Sequence, residues 1–144
     1  MRFPFFITFN ADTLRYHCEF PDLPEMSQYE FETKEDIGAF GREKLLYTLE
    51  HFYRRQGRPI PEPSAVDRDQ YYIYVTLTFQ AKILLWNRLL RAGITAAELS
   101  RRFGCSRQEL QRTLDLTKSV GLDKIEQILL LLDRSFKLTS VKLP

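Results

Sequence analysis

Three side chains in the second half of the sequence, Gln108, Gln111 and Arg112, have the chemistry to read base edges. An Arg guanidinium matches the two acceptors of a guanine, and a Gln amide matches the acceptor and donor of an adenine. Around them, Thr95, Ser106, Arg107 and Lys118 are suited to holding a nucleic-acid backbone. The spacing supports that use. Thr95 with Glu98, and Ser106 with Glu109, are two Ser/Thr-x-x-Glu helix starts eleven residues apart, in which hydroxyl and carboxylate can satisfy free backbone N–H groups. One short helix and a tight turn at Gly104 fit between them. Leu99, Phe103, Leu110 and Leu114 then make an inner apolar face, and Ser100 is small enough for a close helix crossing. This is the pattern of a helix-turn-helix. With Leu110 and Leu114 inward, the 3.6-residue period turns Gln108 and Arg112 outward with Gln111 alongside. Residues 82–118 hold eight Lys/Arg against three Asp/Glu, which attracts phosphate. A plain helical hairpin with a charged exterior is the competing explanation.

Other chemistries find little support. The histidines, His17 and His51, make no nucleophile or metal constellation, and His17 and Cys18 are strand neighbours on opposite faces. Cys18 and Cys105 are far apart and lack metal-type spacing, so both are expected to be buried small hydrophobes. No catalytic residue, metal site or cofactor is expected.

The elements that position the candidate readers form two units. Phe3–Phe9 and Leu14–Phe20 alternate as strands, with Asn10-Ala11-Asp12 as turn chemistry for an antiparallel hairpin. Pro21-Asp22-Leu23-Pro24 ends the pairing, and Met26–Glu32 is expected as a third strand. Thr33 with Asp36 starts a helix over Lys34–Arg55, ended by Gly57. Gly38 and Gly41 weaken it unless its backbone packs closely on the sheet. A linker over about 57–70 contains Pro59, Pro61 and Pro63 and is stiff. Tyr71–Thr78 is the last strand of a βββαβ domain spanning 1–78. Residues 79–144 are helical: Lys82–Leu90 before Gly93, the helix pair, and a last helix over Leu122–Leu132, with an apolar tail from Leu138 to Leu143 expected as a strand, a dimer contact or a cover for the core. The fold class is α+β.

Composition agrees with a globular chain of 144 residues, 44% hydrophobic and 28% charged. The net charge of +2 conceals an asymmetry: residues 1–66 hold 8 Lys/Arg against 11 Asp/Glu, and residues 67–144 hold 13 against 8. One half can meet a basic partner and the other phosphate. With no apolar run near membrane-spanning length and no signal-peptide pattern, a cytoplasmic location without membrane attachment is expected.

The order of Met1-Arg2-Phe3-Pro4, Tyr16-His17-Cys18-Glu19-Phe20-Pro21-Asp22-Leu23-Pro24, Pro59-Ile60-Pro61-Glu62-Pro63-Ser64 and Lys82-Ile83-Leu84-Leu85-Trp86-Asn87 ahead of the helix pair resembles the HicB antitoxins, in their helix-turn-helix branch. It departs at Glu25-Met26, where a Gly-Cys pair is common, and at Gly38 and Gly41, where helix formers are favoured. The resemblance implies a partial RNase H-like N-terminal domain that blocks a HicA-like mRNA interferase of a type II toxin-antitoxin system. It also implies dimers whose helix-turn-helix units bind operator DNA and repress the operon.

An RNase H-like shape raises a two-metal nuclease, for which Asp12, Glu19, Asp22 and Glu30 could be proposed. Glu19 points away from the Cys18 and Phe20 face and Asp12 lies in a turn, so solvated acids are the better explanation and no enzyme is expected. A toxin that cleaves RNA presents a basic surface, so its inhibitor should offer carboxylates with apolar anchors. Residues 12–36 supply eight acids, and Glu19, Asp22 and Glu25 are the candidate toxin contacts, followed by Phe20 and Tyr29, which suit the core equally well, Leu23 and Met26 lying beside them. One recognition helix touches few bases, so a homodimer addressing half-sites about 34 Å apart is expected, through the tail around Leu138, Val141 and Leu143 or exposed parts of the helical unit. The alternative is a free-standing regulator with a ligand-sensing N-terminal domain.

Overall fold

A computed structural model describes residues 1–142. The first strands, β1 (Arg2–Asn10) and β2 (Arg15–Glu19), form the antiparallel hairpin, with Ile7 opposite Cys18 and Phe9 opposite Tyr16. Asn10 makes the turn: its Oδ1 accepts from the backbone N–H groups of Asp12 and Thr13. Met26–Glu32 is not one strand. Pro24 opens a 3-10 turn over Pro24–Gln28, which buries Met26, and only β3 (Glu30–Phe31) pairs with β2. Proline fits the first turn, where its missing N–H is not needed, so the break extends past the apolar alternation.

Helix α1 (Lys34–Thr48) starts at a complete capping box, Thr33 and Asp36 each accepting from the other's backbone N–H. Gly41 lets it lie against the sheet: a Cβ there would sit 2.8 Å from Ile73 Cδ1, whereas Gly38 faces open space. The chain stays helical to Gln56, but through a π segment (Leu49–Tyr53) and a 3-10 turn (Arg54–Gln56), and ends at Gly57 with φ 66°. Strand β4 (Tyr71–Tyr74) pairs with β1 and completes the sheet in the order β3-β2-β1-β4. It is shorter than Tyr71–Thr78, because Thr76 becomes the N-cap of α2 (Leu77–Ala92). The 1–78 boundary thus falls inside the first turn of that helix.

One sheet face packs against α1 around Phe3, Phe5, Cys18 and Ile73. The other, set by the pairing of Arg2 with Tyr74, Pro4 with Tyr72 and Phe6 with Glu19, leaves Phe6, Tyr72 and Tyr74 exposed. Helices α2, α3 (Ala96–Phe103), α4 (Arg107–Leu114) and α5 (Leu122–Leu130) enclose a second core of Leu85, Leu89, Leu99, Leu110, Leu114, Ile125 and Ile128. The two cores interlock, since Ile83 of α2 and Leu116 after α4 are buried in the sheet core. The connector is pinned as well. Asn87 exchanges two hydrogen bonds with the Ile60 backbone, and Trp86 Nε1 donates to the Arg58 carbonyl. Residues 138–142 form neither a strand nor a cover, with Leu138 and Val141 exposed; Leu143 lies outside the described residues. Among the described residues no helix is long and apolar enough to cross a membrane.

Candidate nucleic-acid interface

Helices α3 and α4 are eight residues each, joined through Gly104 at φ 71°. Both expected caps form in their hydroxyl half: Thr95 Oγ1 accepts from Glu98 N at 3.2 Å and Ser106 Oγ from Glu109 N at 3.1 Å. The carboxylates do not reach back. Glu98 pairs with Arg102 at 2.6 Å and Glu109 with Lys124 of α5 at 2.7 Å, so neither box closes. Ser100 is buried and its Oγ donates to the Cys105 carbonyl, which fastens the turn to α3. Cys105 is half-buried rather than a core residue. Leu99, Leu110 and Leu114 are buried, and Phe103 is partly so.

The opposite side of α4 is solvent-facing. Arg107, Gln108, Gln111 and Arg112 are exposed, as are Thr95, Ser106 and Lys118 around them. Among the described residues Arg107, Gln108 and Arg112 have no internal hydrogen-bond partner, whereas Gln111 Oε1 accepts from Arg54 at 2.9 Å. The chain therefore offers unpaired donors on one face of a helix whose other face is locked in a core.

Beneath α4 lies a polar junction that the sequence pattern did not reveal. Glu50, in the π segment, is fully buried; it accepts from Arg54 Nε at 2.7 Å, Arg55 Nε at 3.1 Å and the Leu116 N–H at 3.0 Å. Burial pushes its carboxyl up, but those hydrogen bonds and the Arg54 charge outweigh it, and its pKa lies below the ordinary carboxylate value. Lys82 is also fully buried, and its Nζ donates to the carbonyls of Asp115 and Lys118 at the C-terminal end of α4. Burial lowers its pKa to about 8, against the pull of Asp115 and Glu50. A lysine between Ala81 and Ile83 in an apolar helix was the available signal.

The candidate toxin contacts have separated. Phe20 is core, 3% exposed and stacked on Phe5, and Leu23 and Met26 are buried too. Asp22 accepts from the N–H and Oγ of Ser64, and Glu25 from Tyr53 Oη and Arg58. Both carboxylates thus hold the chain to itself. Tyr29 is partly buried beneath Lys44. Glu19 remains exposed on the open sheet face opposite Phe6. Among the described residues no cluster of His, Cys, Asp and Glu could hold a metal ion.

A family model described as HicB_like antitoxin of bacterial toxin-antitoxin system matches residues 2–84. The chain is similar to Antitoxin HicB 2 of Photorhabdus laumondii, 31% identical over 141 residues, covering 98% of this chain and 97% of the relative. It is 32% identical over 126 residues to Antitoxin HicB of Escherichia coli K12, covering 88% and 89%. Antitoxin HicB 1 of Photorhabdus laumondii is 32% identical over 113 residues, 78% of this chain and 70% of the relative.

Proposed function

The chain belongs to the HicB-like antitoxin family of bacterial toxin-antitoxin systems, and from that premise we propose that it neutralises a HicA-like mRNA-cleaving toxin by direct binding and represses its own operon through α3 and α4 as a helix-turn-helix. The observation that carries the DNA half is the face of α4, where Arg107, Gln108 and Arg112 stand exposed and unpaired among the described residues on a helix fixed by Leu110 and Leu114. On a helix backbone fixed in that way, Gln108 and Arg112 suit base edges, with Thr95, Ser106, Arg107 and Lys118 beside them for phosphates. A dimer supplies a second α4 for a half-site about 34 Å away.

The toxin half rests on family membership and on chemistry. A protein that grips RNA has a basic surface, and a competitor for it needs carboxylate and apolar area together. Glu19 and Glu30 on the open sheet face, with the exposed rings of Phe6, Tyr72 and Tyr74, offer that combination without dismantling the core. Asp22 and Glu25 are already bonded to Ser64 and to Tyr53 with Arg58, so they are not free charges.

The test is co-purification of the full chain with the small basic protein encoded beside it, followed by an RNA-cleavage assay and binding to the DNA upstream of the pair. A stoichiometric complex, suppressed cleavage and sequence-selective DNA binding are expected. A bound metabolite with no protein partner would instead identify a ligand-sensing regulator.

A further inference from the structure

Of the three candidate base readers, Gln111 is held by the other half of the molecule. Its Oε1 accepts from an Arg54 guanidinium nitrogen at 2.9 Å, across 57 positions of sequence. A guanidinium carries only donors, so the amide orientation is dictated: carbonyl toward Arg54, NH2 away from it. Arg54 cannot swing to follow. It is 7% exposed, its Nε and second terminal nitrogen are both on Glu50, and the Trp86 ring lies 6.0 Å from its centre. Glu50 is in turn held by the Leu116 N–H at the end of α4.

A free Gln on a helix surface can flip its amide and so exchange donor for acceptor toward a base, whereas a held one presents a single polarity. We propose that Arg54 is a positioning residue for operator recognition, fixing Gln111 as a donor toward the DNA. The base edge facing Gln111 must then supply an acceptor, a purine N7, a guanine O6 or a thymine O4, and the cytosine amino group is rejected. This rests on α4 entering the major groove, and it makes a residue of the sheet half a determinant of DNA sequence preference.

The test uses the full chain and a duplex enriched by the wild-type protein from a pool randomised over about 20 base pairs, two half-sites at one-turn spacing. Affinity is then measured for every single-base-pair variant of that duplex. Gln111→Ala identifies the base pair it faces, where the preference should fall at least about fivefold. Arg54→Met should lower the preference at that same base pair by a similar factor and leave the one set by Arg112 intact; added to Gln111→Ala, it should cost nothing further there. Arg54→Lys keeps a cation for Glu50 but not the rigid fork, and should give a partial loss at that base pair in a folded protein. A merely structural role would weaken all duplexes alike and leave the preferences unmoved. The positioning role is overturned if Arg54→Met and Arg54→Lys both retain the wild-type preference, if all preferences fall together, or if Gln111→Ala changes none. Failure of the wild-type protein to enrich any duplex would instead remove the DNA-reading assignment itself, and this role with it.

Discussion

The sheet half and the face of α4 use their polar side chains in opposite ways. In the sheet half the carboxylates of Asp22, Glu25 and Glu50 are all taken up by donors of the same chain: Ser64, Tyr53 with Arg58, and Arg54 with Leu116 N–H. On α4 the donors of Arg107, Gln108 and Arg112 have no such partners among the described residues. Satisfied groups give stability and little to an outside molecule, and at Glu50, the one of the three that is fully buried, breaking them leaves a buried charge uncompensated. Unpaired donors on a fixed helix do the reverse: they contribute little to folding and are available to a ligand. The contrast predicts which variants unfold the protein and which only stop it binding.

The largest effect is expected at Glu50. Glu50→Ala leaves Arg54 without its partner and the Leu116 N–H unsatisfied, and should lower stability in urea titration by about 3 to 5 kcal/mol. A loss below about 1 kcal/mol would break the distinction between the two regions.

Lys82 sharpens it through pH. Its pKa in the fold is lowered from the ordinary 10.5 to about 8. Between those values the unfolded chain keeps a proton that the folded chain has released, so stability rises with pH across that window. The stability difference between wild type and Lys82→Met should therefore grow from pH 8 to about 10.5, by at most about 3 kcal/mol. Cys18, raised to about 11 by burial, acts oppositely, stability falling as pH climbs from 9.0, but it cancels in this difference. A flat difference would contradict the buried ammonium.

Next comes the free face. Arg112→Ala should cost about 1 to 3 kcal/mol in operator binding and relax one base position, while stability changes by under about 0.5 kcal/mol. Lys118→Ala should weaken all sequences alike and reduce the salt slope by about one. The smallest effect is expected at Glu19. Glu19→Lys should leave stability within about 0.5 kcal/mol and slow association with the toxin, most at low salt where charge steering is least screened. Asp22→Lys should instead lower the melting temperature by freeing Ser64 and the connector.

The difference between the regions also decides how much was legible in sequence. Thr95 and Ser106 act on residues three positions away, and Leu99, Leu110 and Leu114 mark a helical period, so α3, α4 and their exposed faces follow from local pattern. The partners of Asp22 and Glu25 lie 42, 28 and 33 positions away, and no local pattern shows that these acids are already occupied. Phe20 has the composition of an anchor and the alternation of a core residue, and packing made it core. The π segment escapes notice because a helical period of apolar residues does not register one shifted hydrogen-bonding turn, yet that turn carries Glu50 toward Leu116 and, four residues on, Arg54 toward Gln111. Motifs of both halves carry the family resemblance, so it does not depend on the strand bounds at Met26–Glu32 and Tyr71–Thr78, which the structure shortens.

The central claim, that one chain carries separate surfaces for toxin and for operator, is tested most directly by the full-length Gln108→Ala, Gln111→Ala, Arg112→Ala triple variant, assayed in parallel for inhibition of RNA cleavage and for operator affinity. The account predicts inhibition at wild-type stoichiometry with operator binding reduced to the level of unrelated DNA. Unchanged operator affinity, or loss of toxin inhibition in a variant that remains folded, would contradict it.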